Sequence, residues 1–120
     1  MTAQEVFDKV YRHLLTQKAK SNKFDSDGEE YCMYRGPNGL KCAVGCLIAD
    51  EEYSEKFEGV TISHLLQHNT ALSKYKIHRL LLKDLQCIHD TYDVNKWPSE
   101  LAECALKYDL NIPNMENSHA

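Results

Sequence analysis

Three cysteines and two histidines are the residues whose types and spacing could support metal or thiol chemistry. Cys42 and Cys46 lie four residues apart, Cys32 precedes them, and His64 and His68 share one face of a predicted helix. Three thiolates and one imidazole can close a tetrahedral zinc site. The spacing lacks the paired Cys-x-x-Cys knuckle, so the pattern favours thiols buried at a tight junction. A zinc-stabilised regulatory module is the weaker alternative.

The same residues give no catalytic signature. A zinc-protease helix carries Glu directly after its first His, and here that position is Leu65. A cysteine and a histidine could meet in space as nucleophile and base, but no spacing selects a pair. Asp84, Asp90 and Asp93 are scattered around a predicted helix and its end, which is typical of a solvated face. The sequence therefore predicts neither an enzyme nor a cofactor.

Four residues around the tip of a predicted hairpin form the best candidate binding surface: Tyr34, Arg35, Asn38 and Lys41. An aromatic ring can stack a base or pack against a partner, and a guanidinium can bind a carboxylate or phosphate bidentately. The flanking glycines would allow close backbone approach. An alternative of equal weight is an exposed turn whose aromatic residues pack on the core.

Acidic residues after the hairpin form a second candidate surface, comprising Glu51, Glu52 and Glu55. The chain has 18 Asp and Glu against 14 Lys and Arg, a formal charge of −4. That balance argues against general binding to nucleic-acid backbones, which depends on clustered cations. The acidic residues could instead compete for a basic surface on another protein.

Length and composition predict one globular domain of 120 residues, with 42% hydrophobic and 27% charged residues. Its apolar runs are too short to span a bilayer, and the start of the chain lacks a secretory signal pattern. Five cysteines, an odd number, disfavour a disulfide framework and fit a reducing cytoplasm. We expect a domain over residues 1–112 and a flexible tail over 113–120.

Periodicity predicts a mainly α fold, of the α+β kind, with about five helices around one β-hairpin near 31–42. Thr2 and Glu5 form a capping box for a helix over 3–18. Gly, Pro and Asn at 36–39 predict the hairpin turn, which leaves the polar segment 21–30 as a loop. The small residues of 43–49 predict a short buried helix.

The second half of the chain reads as three more helices. Thr61 is placed to cap a helix over Ile62–His68, and Pro98 fits the first turn of the last helix. The longest periodic segment, 74–92, places apolar residues along one face: Ile77, Leu80, Leu81, Leu82, Leu85, Ile88 and Tyr92. Cys87 and Cys104 are interpreted as small core residues on these helices.

The run CxYRGPNGLKCAVGCLI at 32–48, followed by Asp50-Glu51-x-Tyr53, resembles a family of small uncharacterised proteins from tailed phages and prophages. The opening AQEVFDKV at 3–10 is also similar to that family, and the likeness covers about the first half of the chain. The resemblance implies a phage accessory gene expressed in the cytoplasm of a host bacterium. It carries over no catalytic residue.

Two functions of different classes follow. The preferred one is a non-enzymatic accessory protein that binds a host protein, such as a defence or nucleic-acid-processing enzyme, and inhibits it. The alternative is a small-ligand binder that sequesters a nucleotide signal through Tyr34, Arg35 and Lys41. A hairpin that pairs with another chain would make the protein a homo-oligomer.

Overall fold

The computed structural model describes residues 1–115, which contain four α-helices and one two-stranded antiparallel hairpin. The predicted class, a mainly α single domain with a small hairpin, is confirmed. In chain order the elements are α1 (Ala3–Gln17), β1 (Asn22–Phe24), β2 (Glu30–Cys32), α2 (Ile62–His68), α3 (Arg79–Thr91) and α4 (Trp97–Lys107). Of the predicted tail, residues 116–120 lie outside the described part.

Helix α1 begins as the sequence predicts. The Thr2 hydroxyl accepts a hydrogen bond from the Glu5 amide at 3.1 Å, and the Glu5 carboxylate accepts one from the Thr2 amide at 2.9 Å. Lys18 ends the helix in a left-handed conformation, with its amide bonded to Leu14. The buried face of α1 packs against α3 and α4 around the fully buried Trp97.

The hairpin lies upstream of the predicted position. β1 pairs with β2 in the register Lys23↔Tyr31. The segment predicted as a loop thus supplies all of β1 and Glu30 of β2, while Tyr31 and Cys32 come from the predicted first strand. The Asp25 carboxylate builds the turn, because its Oδ1 accepts bonds from the amides of Asp27 and Glu29, both at 2.9 Å. Gly28 fits this turn with a φ of +81°.

The predicted turn at 36–39 exists, but only one bridge, Arg35↔Lys41, pairs its two sides. The competing partner is Glu58, whose carboxylate accepts the amides of Tyr34 at 2.9 Å and Arg35 at 3.1 Å. An amide that donates to a side chain cannot also donate to a strand. The sequence therefore predicts the turn correctly, but it predicts a longer strand pairing on either side of the turn than the structure has.

Two segments expected to be α-helical form 3-10 turns. Gly45–Leu47 replaces the short helix predicted over 43–49, and Ser73–His78 precedes α3 where its first turns were expected. A 3-10 turn holds 3.0 residues rather than 3.6, so the face predicted for a continuous helix rotates. Ile77 is consequently 85% exposed. Leu80, within α3 itself, is 62% exposed because it lies on the side of the helix opposite the buried residues Leu81, Leu82, Leu85 and Ile88.

No helix within residues 1–115 combines the length and apolar character that crossing a bilayer would require.

Helix α2 follows its predicted bounds, with the Thr61 hydroxyl accepting from the His64 amide at 3.2 Å. Helix α4 carries Pro98 in its first turn, also as predicted.

Candidate functional site: the Asp90 network

A hydrogen-bonded network of polar side chains joins α3 to the hairpin. The fully buried His89 accepts a bond at Nε2 from the Ser21 amide, 3.0 Å away, and its ring stacks on Trp97 at 5.6 Å between centroids. A backbone N–H can only donate, so Nε2 is unprotonated and the proton of the neutral ring sits on Nδ1. That Nδ1–H donates to Asp90 Oδ1 at 2.7 Å.

Gln86 and Cys32 complete the network. The Gln86 side-chain amide donates to Asp90 Oδ1 at 2.9 Å and to the Cys32 sulfur at 3.1 Å, while its oxygen accepts from the Val44 amide at 3.0 Å. Gln86 thus ties α3 to both ends of the segment 32–44. Burial opposes ionisation of Asp90, but the hydrogen bonds from His89, Gln86 and Cys32 outweigh it and lower the pKa of its carboxyl.

The arrangement is not that of a cysteine–histidine catalytic pair. The Cys32 sulfur lies 4.0 Å from His89 Nδ1, the same nitrogen that donates to Asp90, and the other ring nitrogen is held by Ser21. No ring nitrogen is left to take a proton from the thiol. A hydrogen bond to Cys42, together with burial and the nearby Asp90 charge, raises the pKa of Cys32, which keeps it a thiol.

Cys32, His89 and Asp90 are also the one group within residues 1–115 whose ligand atoms, all within 4.8 Å of one another, could surround a metal ion. The Ser21 hydrogen bond opposes this use. His89 Nδ1 would have to lose its proton while Nε2 still accepts the amide, which would require an imidazolate. The residues present therefore fit a hydrogen-bonded network better than a zinc site.

The zinc set considered from the sequence is not assembled. Cys46 donates to the Ala43 carbonyl at 3.1 Å, and burial raises its pKa to about 12. Cys42 is fully buried and accepts from the Gly45 amide at 3.3 Å. Cys104 is buried as expected, while Cys87 is exposed and was wrongly placed in the core.

The residues predicted at the hairpin tip are used mostly for internal contacts. Tyr34 is only 7% exposed, and its hydroxyl donates to the Val60 carbonyl at 2.5 Å. The Arg35 guanidinium donates to the Ile48 carbonyl at 2.7 Å, pairs with Asp50 at 2.8 Å and lies over the ring of Tyr53. The alternative in which Tyr34 packs on the core is the one the structure adopts, so it has no open ring face on which a base could stack.

The other two tip residues remain accessible. Asn38 is exposed in a left-handed conformation with a φ of 60°. The Lys41 ammonium is 3.9 Å from Asp50, and its backbone carbonyl accepts bonds from His13 and Gln17. The predicted tip surface is thus reduced to Asn38 and the Lys41 side chain.

The predicted acidic residues differ in availability. Glu51 and Glu55 are exposed, whereas Glu52 accepts from the Ala49 amide at 3.3 Å and contacts Lys74 at 3.5 Å. In a 3-10 turn, residues three apart eclipse each other, so Lys74 and Ile77 face the same side. The exposed Ile77 therefore lies on the side of this turn where Lys74 contacts Glu52. We call this set the acidic–apolar surface: Glu51, Glu52, Glu55, Lys74, Ile77 and Leu80.

Sequence reasoning missed the Asp90 network because it treated each aspartate of α3 as part of a solvated face. One signal was available. His89 directly follows Ile88 and lies four positions after Leu85, on the apolar face, where a polar side chain needs buried partners. Its partners, Ser21 and Cys32, are distant in sequence and no spacing reveals them.

Comparison of the chain with models of known protein families, with curated proteins and with solved structures gave no significant match in any of the three.

Proposed function

We propose that this chain is a non-enzymatic phage accessory protein that binds a basic surface of a host protein in the bacterial cytoplasm and inhibits that protein. The observation that carries the proposal is the acidic–apolar surface, where the exposed Ile77 lies one 3-10 turn from Lys74, which contacts Glu52. Leu80, Glu51 and Glu55 are exposed neighbours of these residues along the chain. Exposed apolar side chains bordered by charge mark sites of protein association.

Two further features support a binding role. His89 has no free ring nitrogen to act as base for Cys32, which favours association over thiol catalysis. The formal charge of −4 favours a basic partner and raises the rate of encounter with one. Host enzymes that process nucleic acids carry basic surfaces because they bind phosphates, and a defence enzyme of that kind would suit this surface.

The test begins with capture of partners from host lysate by the tagged chain and by two variants. Glu51→Lys with Glu55→Lys reverses the acidic charge, and Ile77→Ser with Leu80→Ser removes the apolar contacts. Glu103→Lys serves as the matched control, because Glu103 is an exposed acid on α4 outside this surface. Size measurement by light scattering establishes whether a homo-oligomer is the binding species.

A captured protein is then purified and its affinity measured by calorimetry at low and high salt. We expect each surface variant to bind at least about tenfold more weakly, with the control near wild type. Added salt should weaken wild-type binding. Equal affinity of all variants for the purified partner would refute the proposed surface, and a partner that keeps full activity when bound would refute inhibition.

A further inference from the structure

The neighbours of Asp90 hold its carboxylate in place, but their N–H groups bond only one of its two oxygens. Both N–H donors of the network, from His89 and Gln86, bond Oδ1. The Cys32 thiol also hydrogen-bonds this carboxylate, and the second oxygen, Oδ2, accepts no N–H or O–H donor from residues 1–115. The side chain is 41% exposed, so this oxygen has access to solvent.

No lysine or arginine within residues 1–115 pairs with this carboxylate. Lys20 donates instead to the backbone carbonyl of Asp90, at 3.3 Å, and Lys83 lines the same recess as Asp90. His89, the ionisable neighbour in contact, is held as a neutral tautomer by Ser21. Asp90 is thus an ionised, partly desolvated acid whose charge is stabilised by hydrogen bonds and not by a cation. Such a group attracts an incoming cation more strongly than a fully hydrated carboxylate does.

Asp90 also lines an open groove. A recess of about 470 Å³ lies between the start of α2 and α3, and its walls carry the hydroxyls of Thr61, Ser63 and Thr91 together with Ile62. A second recess, of about 210 Å³, meets the first at Thr61, Ile62, Gln86 and Asp90 and extends towards Cys32. The larger recess falls within the volume range of ligand sites, and its lining combines the carboxylate of Asp90 and the side chain of Lys83 with several hydroxyl acceptors.

We propose that this groove binds a guanidinium group, the side chain of an arginine on the basic protein partner, with Asp90 Oδ2 as its anchor. A planar guanidinium has five N–H donors, enough to bond Oδ2 and hydroxyl oxygens of the wall together. Its weaker hydration favours it over the ammonium of lysine in a half-buried site. The charge of Asp90 disfavours an anion at Oδ2. The inference rests on the proposed function, since it names the chemistry of that partner.

The test is an NMR titration of the full chain with the capped peptide acetyl-Gly-Arg-Gly-amide. We expect saturable shifts of the Gln86 side-chain amide and of the backbone amides of Asp90 and Thr61. A peptide with citrulline, the neutral isostere, should bind at least about tenfold more weakly, because charge-assisted hydrogen bonds are lost. Equal binding of the two peptides, or shifts confined to Glu51–Glu55, would overturn the proposal, as would saturable binding of guanosine monophosphate at this groove without binding of the arginine peptide.

Two variants and one control sharpen the result. Asp90→Asn should weaken the arginine peptide about tenfold or more, while Asp93→Asn, the same change at an exposed aspartate three residues on, should stay within about twofold. Lys20→Met should strengthen binding about twofold, because it removes a competing positive charge. If Asp90→Asn fails to fold, the Lys20→Met result decides, and unchanged or weaker binding counts against the site.

The outcome of this test can be distinguished from the outcome of the test of the proposed function. A chain that binds its protein partner through the acidic–apolar surface, yet shows no arginine-specific shift at Asp90, refutes the groove alone. Conversely, an arginine-specific site in a chain whose surface variants lose no affinity refutes the acidic–apolar surface alone.

Discussion

Gly45 is a point of close approach between two backbone segments. A Cβ built on it would overlap the carbonyl oxygen of Tyr34 and lie 2.9 Å from the carbonyl carbon. Because both atoms belong to the backbone, neither can move aside cheaply. We expect Gly45→Ala to reduce the free energy of unfolding by about 2 to 3 kcal/mol, a cost typical of overpacking.

Urea unfolding measures this effect, with Gly28→Ala as the matched control. Gly28 has a φ of +81° and no atom within 4 Å of an added Cβ, so only its backbone conformation should cost stability, about 1 kcal/mol. A Gly45 variant no less stable than the Gly28 variant would mean that the two segments are not in contact.

His13 gives stability a dependence on pH. Burial lowers the pKa of His13 from 6.5, and its Nε2–H donates to the Lys41 carbonyl at 2.8 Å. The folded pKa is the lower one, so below pH 6.5 the unfolded chain binds more protons and stability falls as the pH falls. We expect the urea midpoint to drop between pH 7.5 and 5.5, and to drop less in His13→Gln.

The control for His13→Gln is His64→Gln. His64 is exposed, and we expect its variant to show the same change of the urea midpoint with pH as the wild type. If His13→Gln and His64→Gln lose the same stability over this pH range as the wild type, the burial of His13 does not govern the effect.

At the scale of elements, local sequence signals predict the starts of helices correctly but do not predict the hairpin. The caps at Thr2 and Thr61 and the proline in α4 depend on neighbours within four residues, so their helices could be placed from the sequence. The hairpin could not, because its pairing depends on which distant group takes the amides of Tyr34 and Arg35. That group, Glu58, lies more than twenty residues away.

Glu58 therefore tests how this region is held together. Its carboxylate accepts both amides and also the Tyr53 hydroxyl at 2.6 Å, and burial together with this contact raises the pKa of Tyr53 to about 12. Glu58→Gln keeps the shape but removes the charge and one acceptor. We expect a loss of about 1.5 to 3 kcal/mol, the range for hydrogen bonds to a charged group.

The measurement is thermal unfolding alongside hydrogen exchange of the Tyr34 and Arg35 amides, which should lose protection first. Glu55→Gln, at an exposed neighbour, is the control and should be close to neutral. Unchanged protection of the two amides in Glu58→Gln would show that a strand-like pairing, and not the carboxylate, holds them.

For the molecule as a whole, the candidate site could be predicted only in part. Cys32 was recognised as a residue with chemical potential, and the acidic residues were recognised as a surface. The Asp90 network was not foreseen, because it brings together residues from the segment between α1 and β1, the hairpin and α3 that no periodicity connects. The exposure of Ile77 was missed for a different reason, the change from 3.6 to 3.0 residues per turn before α3. Leu80 was assigned to the apolar face although, within α3, it lies opposite the buried residues.

The network also predicts how folding depends on metal. If Ser21 holds His89 as a neutral Nδ1–H tautomer, the fold is complete without an ion, and chelators should leave the melting temperature unchanged. Added zinc should likewise produce no stabilisation, since a ligand bound only by the native state would raise the melting temperature. His89→Phe preserves an aromatic ring beside Trp97 but leaves the Ser21 amide and Asp90 without their partner, and should cost about 2 to 3 kcal/mol with zinc present or absent. A melting temperature that falls on chelation in the wild type, and no longer responds to chelators in His89→Phe, would instead establish His89 as a metal ligand, and the tautomer assignment would be wrong.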